Sequence, residues 1–206
     1  MENAKIIEGA SDATIADWLA ARLGEAMGDG EGPVTITVPG GSTPFPIMEL
    51  LLHHDLDWTR LVVWPGDDRV VPEDHPASNT GKLRDLFEPA GAEVVTLSEM
   101  EAVPHFAIAW LGMGADGHIA SLFPNTDPQV DAREAVVRLT PDPLPPEAPF
   151  DRISLTMPSL LASDVLVFVI RGEEKREVLD QALAKKHDLP VARLLAAAKQ
   201  PVTCFT

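Results

Sequence analysis

Cysteine is nearly absent: Cys204 is the only one among 206 residues. A single thiol excludes an internal disulfide and fits a reducing compartment, so Cys204 is expected to be a small buried residue of a last strand. Cations are scarce as well. Only 16 Lys and Arg face 32 Asp and Glu, a formal charge of −16. Phosphate backbones are held by Lys and Arg clusters, so the charge argues against nucleic acid and none is expected as a partner. No apolar run approaches the length of a membrane span. Met1-Glu2-Asn3-Ala4-Lys5 lacks the basic and apolar regions of a signal peptide, and the expectation is a cytoplasmic protein with no membrane contact. The six histidines are scattered, no His-Glu-x-x-His occurs, and His53-His54 has no partner ligands nearby in sequence, so no metal site is expected.

What is present is an alternation of apolar strands and amphipathic helices. Val34–Val38, Leu61–Trp64, Phe106–Leu111, Val165–Ile170 and Pro201–Phe205 read as buried strands, with Lys5–Glu8 and Val94–Leu97 as weaker ones. Glu134–Leu139 and Arg152–Met157 are further strand candidates on either side of a long proline-rich loop, Pro141–Pro149, which reads as a lid or an edge crossing rather than a domain boundary. Helices are expected after Ser11, from Phe45 to His53, from Thr80 to Phe87, from Glu173 to Ala184 and from Leu189 to Ala198. Such alternation predicts one α/β domain over 1–206: a doubly wound, mostly parallel sheet with helices on both faces. In open sheets of this kind, ligands bind beyond the carboxyl ends of the strands.

Four loops stand out. Gly40-Gly41-Ser42-Thr43-Pro44 follows the strand Val34–Val38 and offers amides and hydroxyls where a helix begins, an arrangement that suits phosphate but also serves as a plain turn. Asp67-Asp68-Arg69 follows Leu61–Trp64; Arg69 can clamp a phosphate or pair with Asp67 or Asp68. Asn79, at a helix start, can hydrogen-bond a sugar hydroxyl or simply neighbour the cap. Arg152 and Lys175, at a strand start and a helix start, either meet an anion or pair on the surface; Lys175 is unfavourably placed for the helix dipole unless Glu173 or Glu174 offsets it.

The loop with the most chemistry is Leu111-Gly112-Met113-Gly114-Ala115-Asp116-Gly117-His118-Ile119-Ala120-Ser121-Leu122-Phe123-Pro124. Its glycines match a dinucleotide fingerprint, but Pro124 cuts the required helix short and Val137 stands where an acidic strand end belongs. A short helical turn is expected up to Pro124. His118 has the pKa range of a general base near neutrality and Asp116 can orient it.

Together these motifs resemble the 6-phosphogluconolactonase family. Gly40–Pro44, Asp67–Pro72 with His75 and Ser78-Asn79, the loop from Leu111 to Pro124, Arg152–Thr156 and Gly172–Lys175 follow the family's order. The resemblance implies a modified Rossmann-like fold, hydrolysis of 6-phospho-D-glucono-1,5-lactone without metal or cofactor, and action as a monomer or weak homodimer. It implies His118 as base, oriented by Asp116. Gly40, Gly41, Ser42, Thr43, Arg69, Asn79, Gly114, Arg152 and Lys175 would bind substrate, with the phosphate at Arg69, Lys175, Ser42 and Thr43. Asp68 replaces the usual glutamate, Pro39 stands where a small residue is usual, and the stretch from Leu97 to Phe106 is shorter, as though a helix were missing. Glucosamine-6-phosphate deaminase has a similar loop but continues Phe-Asn-Glu-Pro, and Phe123 occupies that glutamate's place. A non-catalytic sugar-phosphate sensor is the remaining alternative.

Overall fold

The apolar runs assemble as the residue pattern requires. In the computed structural model, which describes residues 3–100, 102–144, 146 and 148–206, seven strands form one parallel sheet: β1 (Ala4–Ile7), β2 (Val34–Val38), β3 (Leu61–Pro65), β5 (Glu93–Val94), β6 (Ile108–Leu111), β9 (Leu166–Val169) and β10 (Val202–Phe205). Their order is β1-β10-β9-β6-β2-β3-β5. Parallel strands are buried on both sides and therefore lack polar alternation. In β9, Val167 and Val169 face one core while Leu166 and Phe168 face the other.

Each face is covered by helices. On one side lie α1 (Asp12–Met27), α2 (Pro44–Leu51) and α3 (Asn79–Phe87); on the other lie α4 (Met157–Leu161), α5 (Glu173–Leu183) and α6 (Pro190–Ala197). Ser11 caps α1 by accepting from the Thr14 amide, and Gly28, at φ 45°, ends it. The expected two-faced α/β architecture is what the chain adopts. Cys204 lies wholly buried in β10, where burial pushes its thiol up to about 12, far from nucleophilic use.

Three expectations are corrected. First, the strands β7 (Val136–Leu139) and β8 (Arg152–Leu155) do not extend the parallel sheet. They pair antiparallel, and β8 also pairs with β4 (Asp67–Arg69), in a separate sheet of order β4-β8-β7. The Asp-Asp-Arg segment is thus a short strand rather than a loop, and Met157 opens α4 instead of ending a strand. Second, no helical turn lies between His118 and Pro124; a single 3-10 turn, Pro124–Thr126, begins only where the expected one was to end. Gly117 (φ 78°) and Ala120 (φ 48°) take left-handed backbone, and the chain folds back through bridges Met113–Ile119 and Ile119–Leu122. Third, the strand expected at Val94–Leu97 is only Glu93–Val94. Among the described residues no helix joins β5 to β6, in keeping with the short stretch from Leu97 to Phe106.

The winding fixes where a ligand can sit. From β2 the chain moves outward through β3 to β5, returns to β6 beside β2, then moves the other way through β9 to β10. The reversal lies between β2 and β6. Connections diverge there and leave a crevice at the strands' carboxyl ends.

Candidate active site

That crevice holds a cavity of about 290 Å³. It is lined from β2 by Pro39–Pro44, from β6 by Trp110–Gly114 with His118 and Ala120, from β4 by Asp67 and Arg69, and by Asn79 and Lys175. Of the residues expected to bind or act on substrate, all but Asp116 and Arg152 border it.

His118 and Asp116 form a pair. The Asp116 Oδ1 lies 2.6 Å from His118 Nδ1 and also accepts the His118 amide at 3.2 Å. Burial would raise the Asp116 carboxyl, but the hydrogen bond and charge of His118 outweigh it and hold the carboxyl below its ordinary value. With Nδ1 occupied, Nε2 is the nitrogen left for chemistry. One face of the imidazole meets Phe123, ring centroids 4.7 Å apart.

Glycines make room for this pair. A Cβ on Gly114 would fall 2.2 Å from His118 Cε1 and Nδ1. The Gly114 amide is already spent on the His118 carbonyl at 3.0 Å, so Gly114 shapes the site rather than donating into it. Gly117 packs on Leu189, and its carbonyl accepts from the Val191 amide at 3.1 Å, so the start of α6 braces the loop.

The phosphate-binding expectations fare unevenly in geometry. None of the amides of residues 40–43 donates to another backbone or side-chain group among the described residues, so these four donors are available. The helix behind them contributes less than its N-terminus promised, because Pro44 and Pro46 lack N–H groups in its first turn. Arg69 is held by its Nη1, which donates to the Ala77 carbonyl at 2.8 Å and to Asn79 Oδ1 at 3.3 Å. Among the described residues neither Arg69 nor Lys175 has a carboxylate within 4.0 Å. The local pairings with Asp67, Asp68, Glu173 or Glu174 do not form, and both cations border the cavity.

Asp68 does something else. Its Oδ1 accepts the amides of Arg69 (2.8 Å) and Asn79 (2.6 Å), and its Oδ2 accepts the Thr80 amide (2.9 Å) and the Ser78 hydroxyl (3.2 Å). A carboxylate at the N-terminus of α3 satisfies its free amides and ties the helix to β4. Asn79, nearly sealed, donates from Nδ2 to the Asp67 carbonyl at 2.9 Å. Both ends of its amide are therefore used to hold β4 and Arg69.

Arg152 does not border the cavity; it lies opposite Arg69 in the β4–β8 register. Its guanidinium donates to the carbonyls of Phe150 and Ala148 and so anchors the end of the proline-rich loop. Burial first, then Arg69, lower its pKa.

The titratable cavity residue that sequence reasoning took only as an ion-pair partner is Asp67. Its Oδ2 accepts the Ser121 hydroxyl at 2.5 Å. Burial raises its carboxyl against the opposing pull of Ser121, Arg69 and His118. A carboxylate just beyond the end of β3, where open sheets bind ligands, is the signal that could have found it. Among the described residues no group of three or more His, Cys, Asp or Glu is placed to hold a metal, and no helix is long and apolar enough to cross a membrane.

Comparison with known proteins places this geometry in a family. The model of glucosamine-6-phosphate isomerases/6-phosphogluconolactonase matches residues 9–96 and 89–203. A 6-phosphogluconolactonase of Neisseria meningitidis is 33% identical over 201 residues, 85% of each chain. One from Pseudomonas aeruginosa is 33% identical over 213 residues, covering 89% of this chain and 86% of its own. The crystal structure of a 6-phosphogluconolactonase from Shewanella baltica superposes with a TM-score of 0.81 at 28% identity, over 98% of this chain and 96% of that one. A monomeric glucosamine-6-phosphate deaminase shares the fold at a TM-score of 0.77 and 16% identity, over 98% and 96% of the two chains. With the family model spanning most of the chain and relatives at 33% identity over 85% of it, the chain belongs to the glucosamine-6-phosphate isomerase/6-phosphogluconolactonase family.

Proposed function

We propose that this chain hydrolyses 6-phospho-D-glucono-1,5-lactone to 6-phosphogluconate, with His118 as general base. The observation that carries the reading is the pairing of His118 with Asp116 at a cavity bordered by two cations, Arg69 and Lys175, that have no carboxylate partner among the described residues. A base and an anion receptor bordering one cavity suit a small phosphorylated electrophile.

Nε2 of His118 takes a proton from a water that attacks C1, and the C1–O(water) bond forms. The oxyanion is met by amides of residues 40–43, whose N–H groups are uncommitted. Collapse breaks the bond from C1 to the ring oxygen, which leaves with its electron pair and takes up a proton. The phosphate rests on Arg69, Lys175, Ser42 and Thr43. Asn79 acts mainly by holding Arg69, and Arg152 by holding the proline-rich loop. No metal or cofactor takes part in this scheme, and the protein works in the cytoplasm as a monomer or weak homodimer.

Phe123 favours lactonase over deaminase. An apolar ring 4.7 Å from the imidazole cannot polarise it as a carboxylate would. The test is a coupled assay on freshly prepared lactone beside glucosamine 6-phosphate. Acid release from the lactone alone is expected. Turnover of only the amino sugar overturns the reading in favour of a deaminase, and binding without turnover of either substrate favours a sensor.

A further inference from the structure

We propose that Asp67 is a second catalytic group of this site, the acid that passes a proton to the ring oxygen as the lactone opens. The inference rests on the lactonase reading and adds a residue to it.

Hydrolysis at C1 needs proton transfers at two oxygens, the attacking water and the departing ring oxygen, which lie on different sides of the reacting carbon. A single imidazole must otherwise serve both. Asp67 borders the same cavity as His118 but comes from a different element, β4 rather than the loop after β6. Ser121, three residues beyond His118, donates to Asp67 Oδ2 and so ties the two supports together. Among the described residues Oδ1 of Asp67 accepts no hydrogen bond.

The bond from Ser121 uses one oxygen of this carboxyl, and among the described residues nothing claims the other. Asp68, not Asp67, receives the amides of α3, and Arg69 has no carboxylate within 4.0 Å among the described residues. The charged groups around Asp67 are Asp68 and Arg69 on its own strand, His118 on the catalytic loop and Arg152 on β8, with Lys175 bordering the same cavity. Three of these are cations, and His118 becomes one when protonated, yet burial still leaves the carboxyl raised. Such a group keeps its proton to higher pH than a surface aspartate.

The step balances. Water gives one proton to His118 Nε2 as its oxygen bonds to C1. As C1 parts from the ring oxygen, the electron pair goes to that oxygen and Asp67 supplies its proton. The proton on His118 then returns to Asp67 through solvent, and the product carboxylic acid ionises to the medium.

The test compares pH profiles of kcat and kcat/KM for wild type, Asp67→Asn, Asp67→Glu and Ser121→Ala, on fresh lactone between about pH 5 and 8. Asp67→Asn is expected to lower kcat by ~10²–10⁴ with KM nearly unchanged, and to lose the alkaline limb of the profile. Asp67→Glu is expected to restore part of the rate. Removing the Ser121 hydroxyl takes away a bond that favours the carboxylate, so Ser121→Ala should move the alkaline limb to higher pH. A raised KM with kcat retained in Asp67→Asn would mean that Asp67 only holds a sugar hydroxyl, and overturns the proposal. So does a lower kcat with both limbs intact. If Asp67→Asn fails to fold, Ser121→Ala decides: an unmoved limb overturns the assignment. Failure of the lactonase reading itself is separate, since wild type would then not turn over the lactone.

Discussion

Gly114 stands so close to His118 that a methyl group on its Cα would lie 2.2 Å from two atoms of the imidazole and 2.6 Å from Asp116 Oδ1. The glycine in this position is a requirement of the His–Asp pair, not of the turn, since its φ lies outside the left-handed region. Gly114→Ala must therefore push the imidazole aside. A displacement of about 1 Å in a reacting group costs on the order of 10²-fold in rate, and kcat is expected to fall by that much while the protein stays folded. His118→Ala is expected to lose ~10²–10⁴. Combining the two should cost no more than His118→Ala alone, because both act on one group. Additive losses in steady-state assays would show that Gly114 serves something other than His118.

The Asp116 carboxylate has a pH signature. Its folded pKa lies below the ordinary value, so the stability it contributes is fully present above about pH 4 to 5 and disappears as pH falls through the folded pKa. Unfolding midpoints of wild type and Asp116→Asn should differ by a constant amount from neutrality down to about pH 5 and converge below it. The gap will be small, because the Asp116 side chain is 52% exposed. Activity should respond more strongly. Losing the group that fixes the His118 tautomer costs up to about 10⁴-fold where that group is buried, and about 10-fold to 10²-fold is expected in this more exposed pair. A kcat within a factor of about two of wild type would remove Asp116 from the mechanism.

How far the sequence reaches follows from which contacts are local. Val34–Val38 and Leu166–Val169 are legible because a strand buried on both faces is continuously apolar. The His118 loop is legible because its glycines, Asp116 and His118 interact within a few residues. The three-stranded sheet is not: Asp67-Asp68-Arg69 is a wholly charged strand, and it exists only because β8, 85 or so positions on, pairs with it. Nor does the fold-back after His118 announce itself, since alanine at 120 carries no sign of a left-handed backbone. Asp67 and Ser121 meet across 54 positions, a separation that no periodicity records. The prolines at 44 and 46 were in plain view, and their missing amides could have tempered the expectation of a phosphate-binding helix end.

Gly40 and Asn79 make a second case of a missing side chain with a purpose. A Cβ on Gly40 would fall 2.1 Å from Asn79 Oδ1 and 2.5 Å from its Nδ2. That amide holds both the Asp67 carbonyl and the Arg69 guanidinium. Gly40→Ala is expected to release Arg69 from its position and raise KM for the lactone by about ten-fold, with kcat changed by less than about three-fold, as befits a charge-assisted contact made to substrate and transition state alike. Arg69→Ala should raise KM at least as much. An unchanged KM in Gly40→Ala would show that Asn79 does not set the placement of Arg69.

Asp68 is the residue on which the second loop's structure depends. Four donors converge on a carboxylate that is 6% exposed, and Asp68→Ala leaves all four without their acceptor. Breaking a buried charged network of this kind costs about 3 kcal/mol or more, which for a chain of this size lowers Tm by about 6–12 °C. Because Asn79 and Arg69 are both fastened through Asp68, KM should rise as well. Glutamate, the residue common at this position in the lactonases that the chain resembles, keeps the acceptor on a longer stem, so Asp68→Glu should lose less than half as much stability. Calorimetry separates the cases. A Tm for Asp68→Ala within about 2 °C of wild type would mean that water replaces the carboxylate at the start of α3, and that the helix is held by Leu83 and Phe87 in the core instead.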